Sequence, residues 1–434
     1  MTKIYLDVPG PDPGYGGFKG RLQSAPTGLL YVAKALEEKG FEDTEVFDGN
    51  FYDDFQELKK RARESHEEAW FGFYSIYSNY KEVLRRARMV KREGKNVNTI
   101  VGGPYAIMFE RMLKNRDFLD YVCVGDGEPC MPPLVNMENI ENIPNLAYRE
   151  NGEIVLNRNE NDDMNRVFDL ERLFLEPYDR NVHFPITSGK GCDKRDKEGP
   201  CIYCSMDHKT VFQDPKVTWD QIRYLTEKGF YRFFLTRDNQ PLGRLYELLK
   251  ARPADLEKVR LRVYEDPSNV DSDMVSVLEA LNVDWLFLGV ESFDENILRR
   301  ANRRGAVDDI YRAIDLLSDV ETLQIPVMYG LPGETPDTMR ETYEEMRILT
   351  EEHGNITLLS SKAVPIYGTQ LFFDLKRNRK VRAEYPGIET ADLLDYKRLF
   401  ELQLKYFTDC SSEKVDEFIQ KTLALSPDKM GFGV

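Results

Sequence analysis

Residues 187–208 read TSGKGCDKRDKEGPCIYCSMDH and hold three of the chain's six cysteines, Cys192, Cys201 and Cys204, in a C-x8-C-x2-C pattern. Thiolates gathered on one glycine-bearing loop suit a soft metal centre, because sulfur donors favour iron–sulfur clusters or zinc. Three thiolates on a four-iron cluster would leave one iron with an open position for chemistry. Pro200 breaks any helix ahead of the last pair. Tyr203, inside the C-x2-C, is placed to shield a cluster from water, which is one control on its potential. A Cys3His zinc site is an alternative, since His208 lies four residues after Cys204, and buried structural thiols are another. The extended run VHFPITSGKGC places the loop at the C-terminal end of a strand, where barrels of parallel strands build their active sites.

Outward from this loop, residues 183–375 repeat a strand–helix rhythm. HFPITSG, YRFFLTRDN, VRLRVYEDP, DWLFLGVES, LQIPVMYGLPGET and NITLLSSKAVPIYGT read as six strands. WDQIRYLTEKG, MVSVLEALN, VDDIYRAIDLLSD and TMRETYEEMRILTEEHG, among the connections, have helical apolar spacing. Six βα units rather than eight predict a partial barrel. Residues 376–434 read as a helical region that packs on the barrel or closes its lower end, with Cys410 a buried thiol.

Residues 1–140 alternate in the same way. KIYLDV, TEVFD, AWFGFYSIYS, NTIVGGP and DYVCVGDGE read as strands, the third nearly all apolar, as a central strand covered on both faces must be. PTGLLYVAKALEEKG has helical spacing and a glycine stop. YKEVLRRARMVKREG is a basic amphipathic helix whose charges read as a solvated face. The expectation is an α/β fold: a doubly wound, Rossmann-like parallel sheet with any ligand beyond the strands' C-terminal ends. Residues 141–182 read as a connecting hairpin turned at Asn151-Gly152, followed by a polar linker.

The formal charge of −16 and a pI near 5.0 argue against a nucleic-acid backbone as partner. With 41% hydrophobic residues the 434-residue chain can build two or three ordinary globular cores. There is no N-terminal apolar segment of signal type and no run of 18 apolar residues, so no membrane span is expected. Six cysteines in a chain this long are no disulfide framework, and a reducing cytoplasm is the expected compartment.

Further motifs stand at the strand ends. Leu288-Gly289-Val290-Glu291-Ser292 is followed by Ile297-Leu298 and Asn302-Arg303. Gly330-Leu331-Pro332-Gly333-Glu334-Thr335 and Pro365-Ile366-Tyr367-Gly368-Thr369 come later. In this order, after the cysteine loop, they resemble the radical S-adenosylmethionine (SAM) superfamily. Pro26-Thr27-Gly28-Leu29-Leu30, Val101-Gly102-Gly103-Pro104 and Gly125-Asp126-Gly127-Glu128 resemble the cobalamin-binding-type domain that precedes many radical SAM cores. The chain departs from the family at three places. Its first cysteine gap is five residues longer than the usual C-x3-C-x2-C, and Thr236-Arg237-Asp238-Asn239 stands where a GGE-like motif is usual. After the second strand, Asp48-Gly49-Asn50-Phe51 lacks the histidine of the mutase-type D-x-H-x-x-G motif.

The resemblance implies a [4Fe-4S] cluster on Cys192, Cys201 and Cys204, with SAM chelating the open iron. It places Tyr203, Asp238, Arg262, Glu291, Gly330 and Pro332 near SAM. Glu291 would accept hydrogen bonds from the ribose hydroxyls, as an acidic residue does in dinucleotide sites; the alternative is a helix N-terminal acid. Arg262 would pair with the SAM carboxylate through its planar fork, or serve a structural ion pair. Asp238 would substitute for part of the missing motif. Gly28, Ser75, Gly102, Gly103, Gly125 and Glu128 would line a cobalamin site, unless the glycines serve only turns and close helix packing.

The implied activity is reductive cleavage of SAM, with methyl transfer to an unactivated carbon when cobalamin is bound. The electron donor would be a ferredoxin or flavodoxin. The substrate would be a small molecule, a peptide or a protein, as in relatives that methylate methyl-coenzyme M reductase. Two other readings stand beside it: a cobalamin-independent radical SAM enzyme performing cyclisation, rearrangement or oxidation, and a zinc-stapled binding protein. With Cys123, Cys130 and Cys410 as the remaining thiols, no auxiliary cluster is expected.

Overall fold

The computed structural model describes residues 2–12, 25–49, 55–114, 116–173, 178–205, 209–237, 239–391 and 393–426. Their contacts divide the chain into two compact units, residues 1–179 and 180–434.

In the first unit seven strands form one sheet in the order β2-β1-β3-β4-β5-β6-β7. β1 (Lys3–Val8), β2 (Thr44–Asp48), β3 (Ala69–Tyr74), β4 (Val97–Gly102) and β5 (Tyr121–Cys123) are parallel. Parallel neighbours need crossovers, here including α1 (Thr27–Glu37), α2 (Phe55–Glu64) and α3 (Tyr80–Glu93), with the short α4 (Phe109–Leu113) before β5 and α5 (Met131–Val135) after it. β3 lies inside the sheet and buries every residue but its last, which is why AWFGFY is almost wholly apolar. The strand order reverses between β1 and β3, so the crevice beyond their C-terminal ends is the switch point at which open α/β sheets take ligands.

Two expectations are corrected in this unit. The hairpin β6 (Leu146–Glu150) and β7 (Glu153–Leu156) does not merely connect: it extends the sheet by two antiparallel strands, satisfying the backbone edge that β5 would leave open. Asn151 and Gly152 turn it with φ of 49° and 87°, the left-handed pair a tight hairpin requires. In α3, Arg86 is not on the solvated face. It is buried and donates to both Asp7 carboxylate oxygens at 2.9 Å and to Glu82 at 2.9 Å, since a charge inside a fold must be paired.

In the second unit six parallel strands follow one another in space as in sequence. They are β8 (Phe184–Ile186), β11 (Arg232–Leu235), β12 (Arg260–Glu265), β13 (Val283–Leu288), β14 (Thr322–Tyr329) and β15 (Ile356–Lys362). A two-stranded ribbon, β9 (Gly189–Lys190) with β10 (Val211–Phe212), lies between β8 and β11 in the chain. The crossovers carry α6 (Asp193–Glu198), α7 (Pro215–Glu227), α8 (Leu242–Ala251), α9 (Ser272–Ala280), α10 (Glu295–Arg300), α11 (Val307–Leu316) and α12 (Pro336–Glu352). Along β12, Leu261, Val263 and Glu265 are buried, whereas Arg262 and Tyr264 are half-buried. The second face is aromatic: Tyr264 meets Phe234 and Phe287 edge-on, with centroids 4.9 and 4.6 Å apart.

The C-terminal region adds α13 (Gln370–Arg377), α14 (Arg379–Glu384), α15 (Gly387–Thr390), α16 (Tyr396–Phe407) and α17 (Ser412–Ala424). α17 covers the last strands: Thr422 Oγ1 lies 2.8 Å from the Tyr329 hydroxyl, and the Leu358 amide donates to Ser426 Oγ at 3.0 Å. Cys410 is a buried thiol, pushed up to about 11 by burial and the nearby Glu334 charge. Among the described residues no helix is long and apolar enough to cross a membrane.

Candidate functional site

The cysteine loop is pinched at its base by the β9–β10 ribbon, whose pairing joins Gly189 to Phe212 and Lys190 to Val211. A side chain at Gly189 would meet the Val211 carbonyl at 2.7 Å, so the ribbon closes only over glycine. The long first gap folds as a helix. Cys192 caps α6, and Gly199 ends it at φ 85°, a conformation that favours glycine. Lys194 Nζ donates to the Gly199 carbonyl at 2.8 Å, and Asp196 accepts from the Thr210 amide at 3.0 Å. Arg304 pairs with Glu198 at 2.7 Å and with Asp193 at 3.6 Å. Asn239 donates to Asp193 at 2.8 Å, tying the end of the second barrel strand to the insertion. The extra residues are thus absorbed in a pinned turn of helix.

The return limb is held just as firmly. Asn302 Nδ2 donates to the Pro200 carbonyl at 2.8 Å, the Ile202 amide to Ala301 O at 3.1 Å, and the Leu371 amide to Ile202 O at 3.0 Å. Cys201 is buried, while Cys192 and Cys204 are half-buried. Among the described residues no three His, Cys, Asp or Glu side chains close around one point as the ligands of a single zinc ion do. His208, the fourth ligand of the zinc reading, lies outside the described residues.

Arg303 was legible only as part of a motif, and the structure makes it central. Its Nη1 donates to Cys201 Sγ at 3.8 Å, and its Nη2 pairs with Asp266 at 3.0 Å and donates to the Gly289 carbonyl. A Cβ on Gly289 would stand 3.0 Å from that guanidinium, so the glycine of the Leu288–Ser292 motif leaves room for the arginine. A cation beside a buried thiolate offsets part of its desolvation cost.

Glu291 follows β13 at φ 71°, unusual for a residue with a side chain. Two backbone bonds of 3.0 Å hold it there, from its amide to Pro326 O and from the Met328 amide to its carbonyl. The helix-terminus reading of Glu291 is overturned, because α10 begins at Glu295 and its cap is Asp294. The Glu291 carboxyl is buried and raised above the usual carboxylate range by that burial, with Arg303 opposing the shift. Tyr203 lies beside it, its phenol pushed well up by burial and then by the Glu291 charge. The Tyr203 hydroxyl has no partner of good hydrogen-bond geometry among the described residues. The Tyr203 hydroxyl and the Glu291 carboxyl thus form a buried polar pair next to Arg303.

Arg262 lies mid-strand rather than at the strand end. Its guanidinium is 4.8 Å from the centroids of both Phe234 and Trp285 and donates to Gln324 Oε1 at 2.9 Å. Gly330 and Pro332 are drawn toward the C-terminal helices. A Cβ on Gly330 would stand 2.7 Å from the Phe400 ring, and Gln403 Nε2 donates to the Gly330 carbonyl at 2.6 Å. Packing alone therefore accounts for that glycine. Asp238 lies outside the described residues. Its neighbour Arg237 is buried, its guanidinium 4.6 Å from the Phe212 ring centroid.

In the first unit, Ser75 follows β3 directly at the switch point. It is fully buried, and its hydroxyl has no hydrogen-bond partner among the described residues. The glycines divide into two kinds. Gly103, at φ 89°, packs against Ser75, whose backbone a Cβ would meet at 2.8 Å. Gly125 is left-handed against Asn145, which pins the following turn by donating to Asp126 O at 2.9 Å. Gly28 has nothing within 4 Å of a would-be Cβ, and Gly102 only an ordinary contact at 3.9 Å. Tight packing explains Gly103, and the left-handed backbone explains Gly125. Gly28 and Gly102 are not required by packing among the described residues. Glu128 is half-buried in the same turn as Gly125.

Comparison with known proteins agrees with both halves of this description. Residues 186–346 match the model of the radical SAM superfamily, and residues 19–135 match the model of the B12 binding domain. The chain thus carries a radical SAM domain and, ahead of it, a B12-binding domain, and the cofactors of these domains are a [4Fe-4S] cluster, SAM and cobalamin. The zinc-stapled binding protein is thereby set aside. The fold resembles that of the radical SAM methyltransferase TsrM from Kitasatospora setae, at TM-score 0.74 and 18% identity, covering 98% of this chain and 91% of that one. It also resembles the cobalamin-dependent SAM radical enzyme OxsB, at TM-score 0.67 and 13% identity, covering 97% of this chain and 60% of the other. Among curated proteins, the anaerobic magnesium-protoporphyrin IX monomethyl ester cyclase of Cereibacter sphaeroides is 23% identical over 350 residues, 73% of this chain and 55% of that protein. The chain spans between 55% and 60% of the length of the first three such relatives.

Proposed function

We propose that this protein is a cobalamin-dependent radical SAM methyltransferase acting on an unactivated carbon of a small molecule, peptide or protein in the cytoplasm. The presence of a B12-binding domain and a radical SAM domain on one chain carries this reading. When bound, the cofactors supply reductive cleavage of the SAM sulfonium and a cobalt centre able to carry a methyl group. Cys192, Cys201 and Cys204 hold the cluster, and the donor set fits it: three thiols on a pinned loop, one beside the Arg303 cation. Arg303 steadies the Cys201 sulfur while Asp266 fixes the guanidinium from behind. Tyr203 and Glu291, a buried polar pair, orient the SAM ribose. Arg262 offers its fork to a carboxylate from the aromatic face of the strands. In the first unit Ser75 bonds the corrin periphery, with Gly28 and Gly102 leaving space for the ring and Gly103, Gly125 and Glu128 shaping the neighbouring turns.

The test is anaerobic purification from cells supplied with cobalamin, with iron, zinc and cobalt measured together, followed by incubation with methyl-deuterated SAM. About four irons and equimolar cobalt, with 5′-deoxyadenosine and S-adenosylhomocysteine both formed, support the proposal. Iron without cobalt, and 5′-deoxyadenosine without S-adenosylhomocysteine, would replace it with a cobalamin-independent radical enzyme. Likeness to a cyclase over 73% of the chain favours a second reading, oxidative ring closure. Under it, deuterium would remain in methionine and none would enter the product.

A further inference from the structure

The barrel unit has a pocket of about 320 Å³ whose wall includes Ile202, the residue that follows the ligand Cys201. Arg300 of α10, Pro332, Leu371, Asp374 and Leu375 of α13, and Gln403 and Phe407 of α16 complete its lining. None of the half-buried strand residues around Arg262 lines it, so it approaches the cluster loop from helices and turns rather than from the aromatic strand face. A substrate must reach the SAM-side groups. An electron donor need only come near the loop.

A cationic segment adjoins this pocket in the chain. The chain carries a net charge of −16, yet residues 376–382, which end α13 and begin α14, read KRNRKVR, with five cations in seven positions. Arg377 and Arg382 have acidic neighbours, Asp374 at 3.3 Å and Glu389 at 3.4 Å. Lys376, Arg379 and Lys380 have no ion-pair partner among the described residues, nor do Arg299 and Arg300 at the end of α10. Arg299, Arg300, Arg379 and Lys380 are exposed. The one acid in the pocket wall, Asp374, is paired with Arg377, and on a strongly acidic protein unpaired cations gathered beside a pocket select an acidic partner there and repel it elsewhere.

We infer that this pocket and its rim of cations are the docking surface for an acidic one-electron carrier protein, such as a flavodoxin or ferredoxin. The inference rests on the radical SAM reading above and adds the face through which the cluster is reduced. In the step itself one electron leaves the carrier's reduced centre and is accepted by the cluster. The carrier is oxidised by one electron, and no atom or proton is transferred. Ile202 is the contact through which the pocket meets the loop, its backbone bonded to Ala301 on one side and Leu371 on the other.

The experiment compares the cluster-loaded wild type with a K376E/R379E/K380E variant, measuring 5′-deoxyadenosine formed from SAM without substrate. Each protein is driven by reduced flavodoxin and, separately, by reduced methyl viologen. The expected result is a fall of about tenfold or more in the flavodoxin-driven rate, with loss of its salt dependence, as steering charges produce. The viologen-driven rate stays within about twofold, since no cluster or SAM contact is touched; this also shows that the variant is folded and loaded. An unchanged flavodoxin-driven rate overturns the inference. If SAM cleavage is unchanged with both donors but turnover of an anionic peptide falls, the surface belongs to substrate and the inference is equally overturned. Absence of viologen-driven cleavage in the wild type would instead sink the radical SAM reading itself.

Discussion

The turn formed by Gly330 to Glu334 contains a carboxyl whose titration should make the barrel's stability depend on pH. Glu334 is 1% exposed and accepts a hydrogen bond from the Leu331 amide at 3.1 Å and another from the Gly330 amide. Burial outweighs these bonds and pushes the carboxyl up to about 8. Below the ordinary glutamate value of 4.5, both the folded and unfolded chains hold this proton and its contribution does not change with pH. Between 4.5 and about 8 the unfolded chain loses this proton while the folded chain keeps it. Stability therefore falls as pH rises, by about 1.4 kcal/mol per pH unit, and levels off above the folded value. Glu265, also buried and raised to about 8, adds a second proton of the same sign.

Between pH 5.5 and 7.5 the wild-type barrel should thus lose about 5 kcal/mol from the two groups, and a Glu334→Gln variant about 3 kcal/mol. Glutamine keeps an oxygen to accept the turn's amides, so the substitution removes the titration without the turn. The assay is urea unfolding at a series of pH values in a Trp70→Phe background, where Trp219 and Trp285, both in the second unit, are the fluorescent reporters. Equal slopes for the two proteins would refute the argument, as would stability rising with pH in this window.

Three further outcomes are expected. Cys201→Ala should abolish 5′-deoxyadenosine formation while leaving the far-ultraviolet circular dichroism unchanged; retained cleavage would remove this thiol from the cluster. Ser75→Ala deletes a buried hydroxyl with no partner, so the cobalamin-free protein should be equally stable or more stable by about 1 kcal/mol, with weaker retention of cobalamin on gel filtration. A loss of stability without loss of cobalamin would mean that the hydroxyl serves the fold. Gly330→Ala forces a side chain to φ 90° and to 2.7 Å from Phe400, and should destabilise the barrel unit by about 2–4 kcal/mol in urea unfolding. Phe400→Leu in the same protein should recover the steric part of that loss and leave the backbone part.

Much of the architecture was legible because it is written in local periodicity. The six strands of the second unit and the five parallel strands of the first announce themselves as apolar runs between helical segments, and alternation forces parallel pairing through crossovers. The hairpin at Asn151 was legible as a hairpin but not as part of the sheet. Its turn is a local matter, whereas its partner β5 lies more than twenty residues upstream. Arg86 shows the same limit: its spacing on α3 resembles that of its exposed neighbours, and its burial depends on Asp7, seventy-nine residues away.

The residue types and spacing of the cysteine loop, the order of the strands and the glycine turns at their ends were determined by the sequence alone, because each rests on short-range chemistry. The tertiary structure decided what those pieces do to one another. It brought Arg303 to Cys201 across 102 positions and folded the long cysteine gap into a pinned helix. It left the Ser75 hydroxyl without a partner among the described residues, and it divided glycines required by packing or by a left-handed turn from glycines that neither requires. A hydrogen bond left unmade, or a space left unfilled, is a property of everything that surrounds it, and no stretch of sequence contains its own surroundings.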